Sequence, residues 1–442
     1  CVGSSLRKAA IPQGSVVGIS TDEGSRFLKA LFGVLQAGCV ALPVAPNLSE
    51  TERLRVLGDS MVSATINTLD SNSPTTEQDP HNWFQVRSVL PQEKSTASRS
   101  LIKDVFNDAA VMRHTSGTTA SSKGVVLSHK AVLERVRASR ALLEIDSGDS
   151  MLICLPISYH FIASALACLY AGTTIIDASL LGPRSITDAV RTYNANILYA
   201  APSQYGAMVL LPRHSPRDSF PSLRRAIATS ALLPSTLAIA FEQRFAIRLT
   251  QVYGIIEVGL PLWNTDPRAQ VSALGTCRSP YQCSIVSPTG DPVRCGESGE
   301  LCIRGPGLFS GYLVGANAGL THGEQQWFKT GDLVTQDNQG VITYRGRLKT
   351  VINSDGFTVF PEEIEEVLQT APDIEEVRVS GKLDPRLGNR IIAEIVSKNY
   401  TPCAPDAWRA LCQKTLSQHQ VPHEFILVDS LPHTGSGKIM RR

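Results

Sequence analysis

The stretch MRHTSGTTASSKGVVLSH, residues 112–129, decides how the rest of the chain is read. Thr115, Ser116, Gly117, Thr118 and Thr119 offer NH and OH donors and little apolar surface to bury. Gly117 lets the backbone approach an oxyanion closely, successive amides can form an anion-binding concavity, and Lys123 adds a charge that stays positive at neutral pH. That combination suits a polyphosphate. It does not read GxxxxGK[ST], so it is not a Walker A loop. A Ser/Thr/Gly cluster also makes ordinary solvated turns, and its meaning depends on what surrounds it.

Outward toward the N-terminus, SVVGIS (15–20) reads as a buried strand. Residues 22–37 carry Phe27, Leu28, Leu31, Phe32, Val34 and Leu35 at helical spacing before Gly38, and CVALPV (39–44) reads as a second strand. Strand, helix and strand with short connections predict a βαβ unit and a parallel sheet. Residues 71–100, rich in Ser, Thr, Pro and Gln, read as a surface loop. Outward toward the C-terminus the alternation resumes: a helix over 129–144, a strand at MLICL, a helix over 161–171 and strands at TTIID and ILYA. A turn at Pro202, a strand near 225–229 and a helix from Pro234 to Phe245 follow. The fold class is α/β, with mostly parallel sheets and helices. Beyond Gly259, short segments between Pro and Gly turns suggest a small β subdomain. From Thr350 the helix PEEIEEVL, the segments VRVSG, RIIAEIVS and EFILV, and a helix near 406–416 form a compact α+β unit of their own. The domains expected are 1–346, a hinge at 347–350, and a mobile C-terminal domain over 351–442.

Composition narrows the function classes. The chain has 442 residues, 43% hydrophobic and 19% charged, ordinary for a globular protein with more than one core. A formal net charge of +2 argues against a dedicated nucleic-acid surface. The longest apolar region, Phe161–Gly172, is interrupted and too short to span a bilayer. The ten cysteines are scattered, and Cys277, Cys283, Cys295 and Cys302 lack zinc-site spacing. They read as reduced, mostly buried thiols in a cytoplasmic protein. The chain opens at Cys1 in what reads as mid-helix, so a natural start upstream is expected and targeting is left open.

Four further stretches bear chemistry. QVYGIIE (251–257) follows an expected strand end, where α/β sheets bind ligands. There Tyr253 can stack on a base, Gly254 lies beside it, and Glu257 can hold a hard cation such as Mg²⁺. FKTGDL (328–333) offers Asp332, and YRGRLK offers Arg347; a carboxylate accepting from sugar hydroxyls beside an arginine makes a ribose clamp. LPHTGSGK (431–438) puts Lys438 on a glycine-flanked loop that can deliver and withdraw it. Each stretch alone also fits an ordinary turn, core tyrosine or surface charge.

Together and in this order, TSGTTASSKGVVLSH, VYGIIE, GELCIRGPGLFSGYL, WFKTGDL, GRLKTVINSDGFTVFPEEIEEVL and LPHTGSGK resemble the adenylate-forming enzymes: acyl- and aryl-CoA synthetases, adenylation domains of nonribosomal peptide synthetases, and beetle luciferases. The resemblance runs from the first βαβ unit to the end of the chain. It implies a large N-terminal domain with a mobile C-terminal lid and a two-step reaction. ATP and a carboxylic acid give an acyl-adenylate and pyrophosphate, and a thiol, of CoA or of a carrier protein's phosphopantetheine, then takes the acyl group. By the resemblance, Thr115–Thr119 and Lys123 cover the phosphates, Tyr253 lies against adenine, and Gln251 hydrogen-bonds its amine. Glu257 holds magnesium, Asp332 and Arg347 clamp the ribose, and Lys438 bridges substrate carboxylate and phosphate. Lys349 falls at the hinge, and Gly356 where the pantetheine channel reaches the adenylate.

The chain also departs from that pattern. Before the glutamate the family commonly has Thr or Ser, whose hydroxyl contacts the α-phosphate; here Ile256 cannot donate, so either Thr118 or Thr119 compensates or adenylation is slow. TSALLP (229–234) puts Ala231, Leu232 and Leu233 where smaller residues are usual, which suggests a reshaped acyl pocket. Amino acid activators carry an Asp in the region matching 156–172, where this chain has no acidic residue. An unpaired buried ammonium is strongly disfavoured, so the expected acid lacks an α-amino group. His160 fits either the pocket mouth or packing among aromatic neighbours. Two rivals stand beside an acid:thiol ligase: an adenylation domain that loads only a carrier protein, and a catalytically weak adenylate-binding protein.

Overall fold

The structure is a computed structural model that describes the chain apart from residues 1, 22, 47, 49, 69–82, 90–107, 115–122, 213–218, 271, 315–316, 321–325, 355–356, 385–387, 399–404, 434–438 and 441–442. The expected phosphate loop Thr115, Ser116, Gly117, Thr118 and Thr119, the channel residue Gly356 and Lys438 therefore lie outside the described residues.

α1 (Val2–Lys8) packs on α2 (Gly24–Gln36) at Gly33, where a Cβ would stand 2.5 Å from the Cβ of Val2. α2 buries Phe27, Ala30, Leu31 and Val34 on one face, as helical spacing requires, while Phe32 remains half exposed. Gly38, at φ +71°, turns the chain into the next strand. β1 (Val16–Ser20) and β2 (Val40–Pro43) are parallel neighbours, so the expected βαβ unit is present. After α3 (Glu50–Asp59), β3 (Val62–Thr68) joins β1 in parallel and β4 (Phe84–Ser88) pairs antiparallel with β3. β4 corrects the expectation of a loop throughout 71–100. It is an edge strand with only Phe84 and Val86 half-buried, a pattern too short to stand out from its polar flanks. β5 (Ala109–His114) joins β2 in parallel, and β6 (Gly124–Ser128) returns antiparallel.

α4 (His129–Leu143) starts where Ser128 caps it by accepting from the Ala131 amide at 3.0 Å. Then β7 (Ser150–Ile153), α5 (Ile157–His160), α6 (Ala165–Ala171), β8 (Thr174–Asp177), α7 (Pro183–Thr192), β9 (Ile197–Ala200), α8 (Pro202–Leu210), β10 (Arg225–Ala228), α9 (Ser235–Phe245) and β11 (Leu249–Ile255) alternate. The strands align in parallel in the order β8–β7–β9–β10–β11, continued antiparallel by β12 (Gly259–Asn264) and β13 (Ala273–Cys277). The helix expected over 161–171 is realised only as the shorter α6, and the separate short helix α5 precedes it. Pro202 opens α8 instead of making a turn, because a proline's fixed φ suits the first helical position. Tyr205, Phe241 and Phe245 pack with Leu198, Ala228 and Leu233 under these helices, each buried aromatic contributing about 1.5–3 kcal/mol.

Beyond β14 (Gln282–Val286) and β15 (Ser298–Arg304), β16 (Gly311–Val314) and β17 (Asn317–Leu320) return to the first sheet. Its order is β17–β16–β6–β5–β2–β1–β3–β4, parallel at the centre and antiparallel at both edges. This pairing lays Tyr312 of β16 beside Val125 of β6.

The chain forms two compact units, Cys1–Gln282 with Ile303–Phe328, and Cys283–Cys302 with Lys329–Arg442. The second holds the antiparallel hairpin β18 (Phe328–Gln336) and β19 (Val341–Arg347), the hairpin β20 (Ile352–Ser354) and β21 (Phe357–Val359), α10 (Pro361–Leu368) and α11 (Pro405–Thr415). It also holds the sheet of β22 (Ile374–Asp384), β23 (Gly388–Ser397) and β24 (Glu424–Leu427). α10 is the expected PEEIEEVL helix, with Pro361, Glu362 and Glu363 in its first turn and Ile364 and Leu368 in the core with Val377, Ile391 and Trp408. Among the described residues no helix is long and apolar enough to cross a membrane. Among the described cysteines, Cys39, Cys154, Cys168, Cys302 and Cys412 are buried thiols.

Candidate active site

The parallel strands of the second sheet end at one edge, and the expected acyl and adenine residues follow those ends, where the crevice of an open α/β sheet lies. Beyond β7 comes His160, whose Nε2 stands 3.3 Å from Ser230 Oγ beyond β10, joining two strand ends. His160 is also 6.3 Å from the Tyr199 ring, edge to face, so it has both the polar and the aromatic neighbour that its sequence allowed. Ser230 adopts φ +75°, which costs a non-glycine residue about 1 kcal/mol, and this turns Ala231 outward. Of the three bulky residues, Ala231 is exposed and Leu232 half-buried, whereas Leu233 is 2% exposed and belongs to the core beneath α9. The Leu233 amide donates to Gln251 Oε1 at 3.3 Å, which ties the segment to β11.

Gln251 and Tyr253 share one face of β11; Gln251 is buried and Tyr253 half-buried. Gly254 between the strand and the turn has a packing reason of its own. A Cβ there would meet the Gly259 carbonyl oxygen at 2.3 Å and Leu260 Cδ2 at 2.6 Å, so the β11–β12 hairpin closes only over glycine. The turn is closed by the Val258 amide donating to the Ile255 carbonyl at 3.1 Å, and it holds Ile256 and Glu257 at its tip.

Glu257 is fixed from both ends. The Tyr312 hydroxyl donates to its Oε1 at 2.9 Å, and its main-chain oxygen accepts from the Phe309 amide at 2.9 Å and from Arg135 Nη2 at 2.6 Å. Burial and the Glu257 charge both push the Tyr312 phenol up, which keeps it a donor at neutral pH. Lys123 Nζ lies 4.9 Å from the centroid of the Tyr312 ring. Among the described residues Glu257 Oε2 has no hydrogen-bond partner, and no three His, Cys, Asp or Glu side chains converge as a metal cage. One oriented carboxylate with a spare oxygen fits magnesium, which is held by one or two carboxylates plus substrate phosphates.

Two arginines absent from the sequence reading also stand in the field of this carboxylate. Arg113 lies at the end of β5, immediately before the expected phosphate loop, with its guanidinium 5.9 Å from the Tyr159 ring. Its neighbour His114 turns to the opposite face and bonds Ser60 Oγ. Arg135, on α4, is 4% exposed. Burial lowers both guanidinium groups to about 10, partly offset by Glu257, and both stay charged at neutral pH. Lys123, Arg113 and Arg135 around Glu257 make this part of the site cationic, as a polyphosphate requires. Arg113 had a signal in its position two residues before Thr115. Tyr312 lay within the matching stretch GELCIRGPGLFSGYL without a role being read for it, and Arg135 had no signal, because both reach Glu257 only through folding.

In the second unit, Asp332 and Arg347 face each other across the β18–β19 ladder, with Arg347 Nε donating to Asp332 Oδ1 at 2.7 Å. Asp332 is 1% exposed, and its amide donates to Thr330 Oγ1 at 3.1 Å. The expected pair is thus brought together by β register alone. Lys349 lies exposed in the turn after β19, where the Leu348 amide donates to Gly331 O at 2.9 Å and Thr350 Oγ1 to Glu362 Oε1 at 3.3 Å.

Residues 1–313 match the family model described as AMP-binding enzyme, and residues 363–438 the model of that enzyme's C-terminal domain. An oxalate–CoA ligase of Arabidopsis thaliana is 28% identical over 98% of this chain and 88% of its own. A feruloyl-CoA synthase of an Amycolatopsis species is 27% identical over 100% and 90%. Among solved structures, the O-succinylbenzoate coenzyme A synthetase MenE of Bacillus subtilis, in complex with ATP and magnesium ion, superposes with a TM-score of 0.81 at 21% identity, over 100% of this chain and 91% of that one. With the site built on the same motifs and both family models matched in order, the chain belongs to the AMP-binding enzyme family, the adenylate-forming superfamily.

Proposed function

We propose that the protein joins a carboxylic acid lacking an α-amino group to the thiol of CoA, at the expense of ATP. In the first step a carboxylate oxygen attacks the α-phosphorus, the bond from that phosphorus to the bridging oxygen breaks, and pyrophosphate leaves with the electron pair. In the second, the thiol loses its proton, sulfur attacks the acyl carbon, and AMP leaves. The observation that carries this reading is the Glu257 carboxylate, held by Tyr312 and flanked by Lys123, Arg113 and Arg135. Adenylyl transfer depends on positioning and on neutralising charge that builds on phosphoryl oxygens, and fixed cations in a desolvated site do that without reorganising. Glu257 would hold magnesium, which supplies charge neutralisation on the departing pyrophosphate when bound.

The remaining roles follow the family pattern residue by residue. Thr115–Thr119 and Lys123 grip the phosphates. Tyr253 stacks on adenine, with Gln251 and Gly254 beside it, and Asp332 with Arg347 accepts and orients the ribose. Lys438 bridges the two reacting anions in the first step. Lys349 lies in the hinge 347–350, about which residues 351–442 turn against 1–346, and Gly356 lines the way in for pantetheine. The helices α5 and α6 carry no acidic side chain to pair an α-ammonium, which supports an acyl or aryl acid. The likeness to an oxalate–CoA ligase and a feruloyl-CoA synthase supports CoA over a carrier protein's phosphopantetheine.

The test is carboxylate-dependent exchange of labelled pyrophosphate into ATP across short, branched, aryl, long-chain and amino acids, without thiol, followed by thiol consumption on adding CoA or a carrier protein. Exchange with one non-amino acid class and turnover with CoA is the expected result. Exchange with amino acids alone overturns the acid class. Absence of exchange with every acid, despite ATP binding, makes Ile256 the cause and the protein an adenylate binder.

A further inference from the structure

Arg135 does something no hydrogen-bonding carboxylate explains: among the described residues its buried guanidinium donates to neutral main-chain carbonyls alone. Nε reaches Gly307 O at 2.5 Å, Nη1 reaches Ile256 O at 2.6 Å, and Nη2 reaches Glu257 O at 2.6 Å. The neighbouring residue completes the grip, since Glu134 Oε2 accepts from the Gly307 amide at 2.7 Å. One turn of α4 thus holds both sides of the Gly307 peptide region and the tip of the Glu257 turn. Gly307 is at φ +71°, and a Cβ there would stand 2.6 Å from Arg135 Cγ, so glycine is what lets the arginine stem pass. The segment from Gly307 leads directly to Phe309, whose amide bonds Glu257 O, and to Tyr312, whose hydroxyl bonds Glu257 Oε1.

We propose that Arg135 is a positioning residue for the metal-holding carboxylate: by gripping the Ile256, Glu257 and Gly307 carbonyls with one planar fork, it sets the turn so that Glu257 gives one oxygen to Tyr312 and the other to the nucleotide's magnesium. This rests on the reading of Glu257 given above. A planar guanidinium suits three carbonyls in different directions, and a lysine ammonium, with its compact head, does not reproduce that fork. Outer partners of a metal ligand are worth about 10- to 100-fold in metal affinity.

The experiment compares Arg135→Lys, Gly307→Ala and Glu257→Gln in the full chain. It reads the magnesium concentration for half-maximal pyrophosphate exchange, and the affinity of Mn²⁺ for the ATP-saturated protein by electron paramagnetic resonance. Arg135→Lys should raise both metal constants by about tenfold while leaving the acid KM within about twofold, a split that loosened packing alone does not produce. If Arg135→Lys does not fold, Gly307→Ala, which keeps the guanidinium and displaces it, carries the same readout. Unchanged metal constants in the folded variants, with Glu257→Gln shifting them, overturn the role of Arg135 alone. Unchanged metal constants in Glu257→Gln overturn the reading of Glu257 itself, and with it this inference.

Discussion

Glu257 and Asp332 are both carboxylates with an arginine close by, and the arginines treat them differently. Arg347 bonds the Asp332 carboxylate itself, opposite it in a β ladder, and the acid is sealed at 1% exposure. Arg135 takes the Glu257 main-chain carbonyl instead, so that among the described residues a neutral phenol alone bonds the carboxylate. The first arrangement sets a charge against a charge in a fixed geometry. The second holds a charge in place without cancelling it, suited to an incoming cation. On the roles proposed above, the partner atom of the arginine, more than its proximity, separates a clamp from a metal ligand.

The comparison can be broken most severely at Glu257. Glu257→Gln keeps the shape and the Tyr312 contact and removes the charge; pyrophosphate exchange should fall about 10²- to 10³-fold, measured as kcat at saturating ATP and acid. A fall confined to the ATP KM would make Glu257 a second clamp and erase the distinction. Asp332→Asn should act on binding instead, raising the ATP KM about tenfold with the acid KM unchanged, since one charge-assisted bond and its ribose contact are lost. Arg113 tests how much of the difference is field. Arg113→Met should raise the ATP KM about two- to fivefold, with little dependence on salt, as a buried charge is only weakly screened. The smallest effect belongs to a carboxylate whose role is structural. Asp149 is gripped by Arg224 at 2.6 and 3.0 Å. Burial raises its carboxyl, but the Arg224 bonds and the Asp146 amide outweigh that and hold it below the usual range. A depressed carboxyl stabilises the fold above its unfolded pKa of about 3.9 and loses that contribution as pH falls through the lower folded value. Asp149→Asn should therefore lower the denaturation midpoint at pH 7, with the gap to the parent closing in the acid limb, and leave exchange unchanged.

Much of the site was legible because the family's motifs are local. VYGIIE and the pair WFKTGDL and YRGRLK place Tyr253, Glu257, Asp332 and Arg347 by a few residues of context each, and the β register does the rest. Gly254 reads as a ligand-facing glycine, yet its hydrogen is required by the Gly259 carbonyl across the hairpin. Leu233 reads as a pocket wall and lies in the core, because the turn at Ser230 rotates the segment. Neither fact is visible without knowing which strand lies alongside.

The sequence by itself determined the βαβ start, the α10 helix with its proline entry, the order of the motifs and hence the family, since periodicity, capping and motif spacing act over a few residues. Only the tertiary structure decided what surrounds Glu257. Arg135 reaches its turn across 121 positions and Tyr312 reaches its carboxylate across 55, the first from the helix after β6 and the second from a strand that returns to pair with β6. The charge balance of a buried site depends on which groups the sheet order brings within a few ångströms of each other, and the attraction between charges falls with that distance and not with separation along the chain.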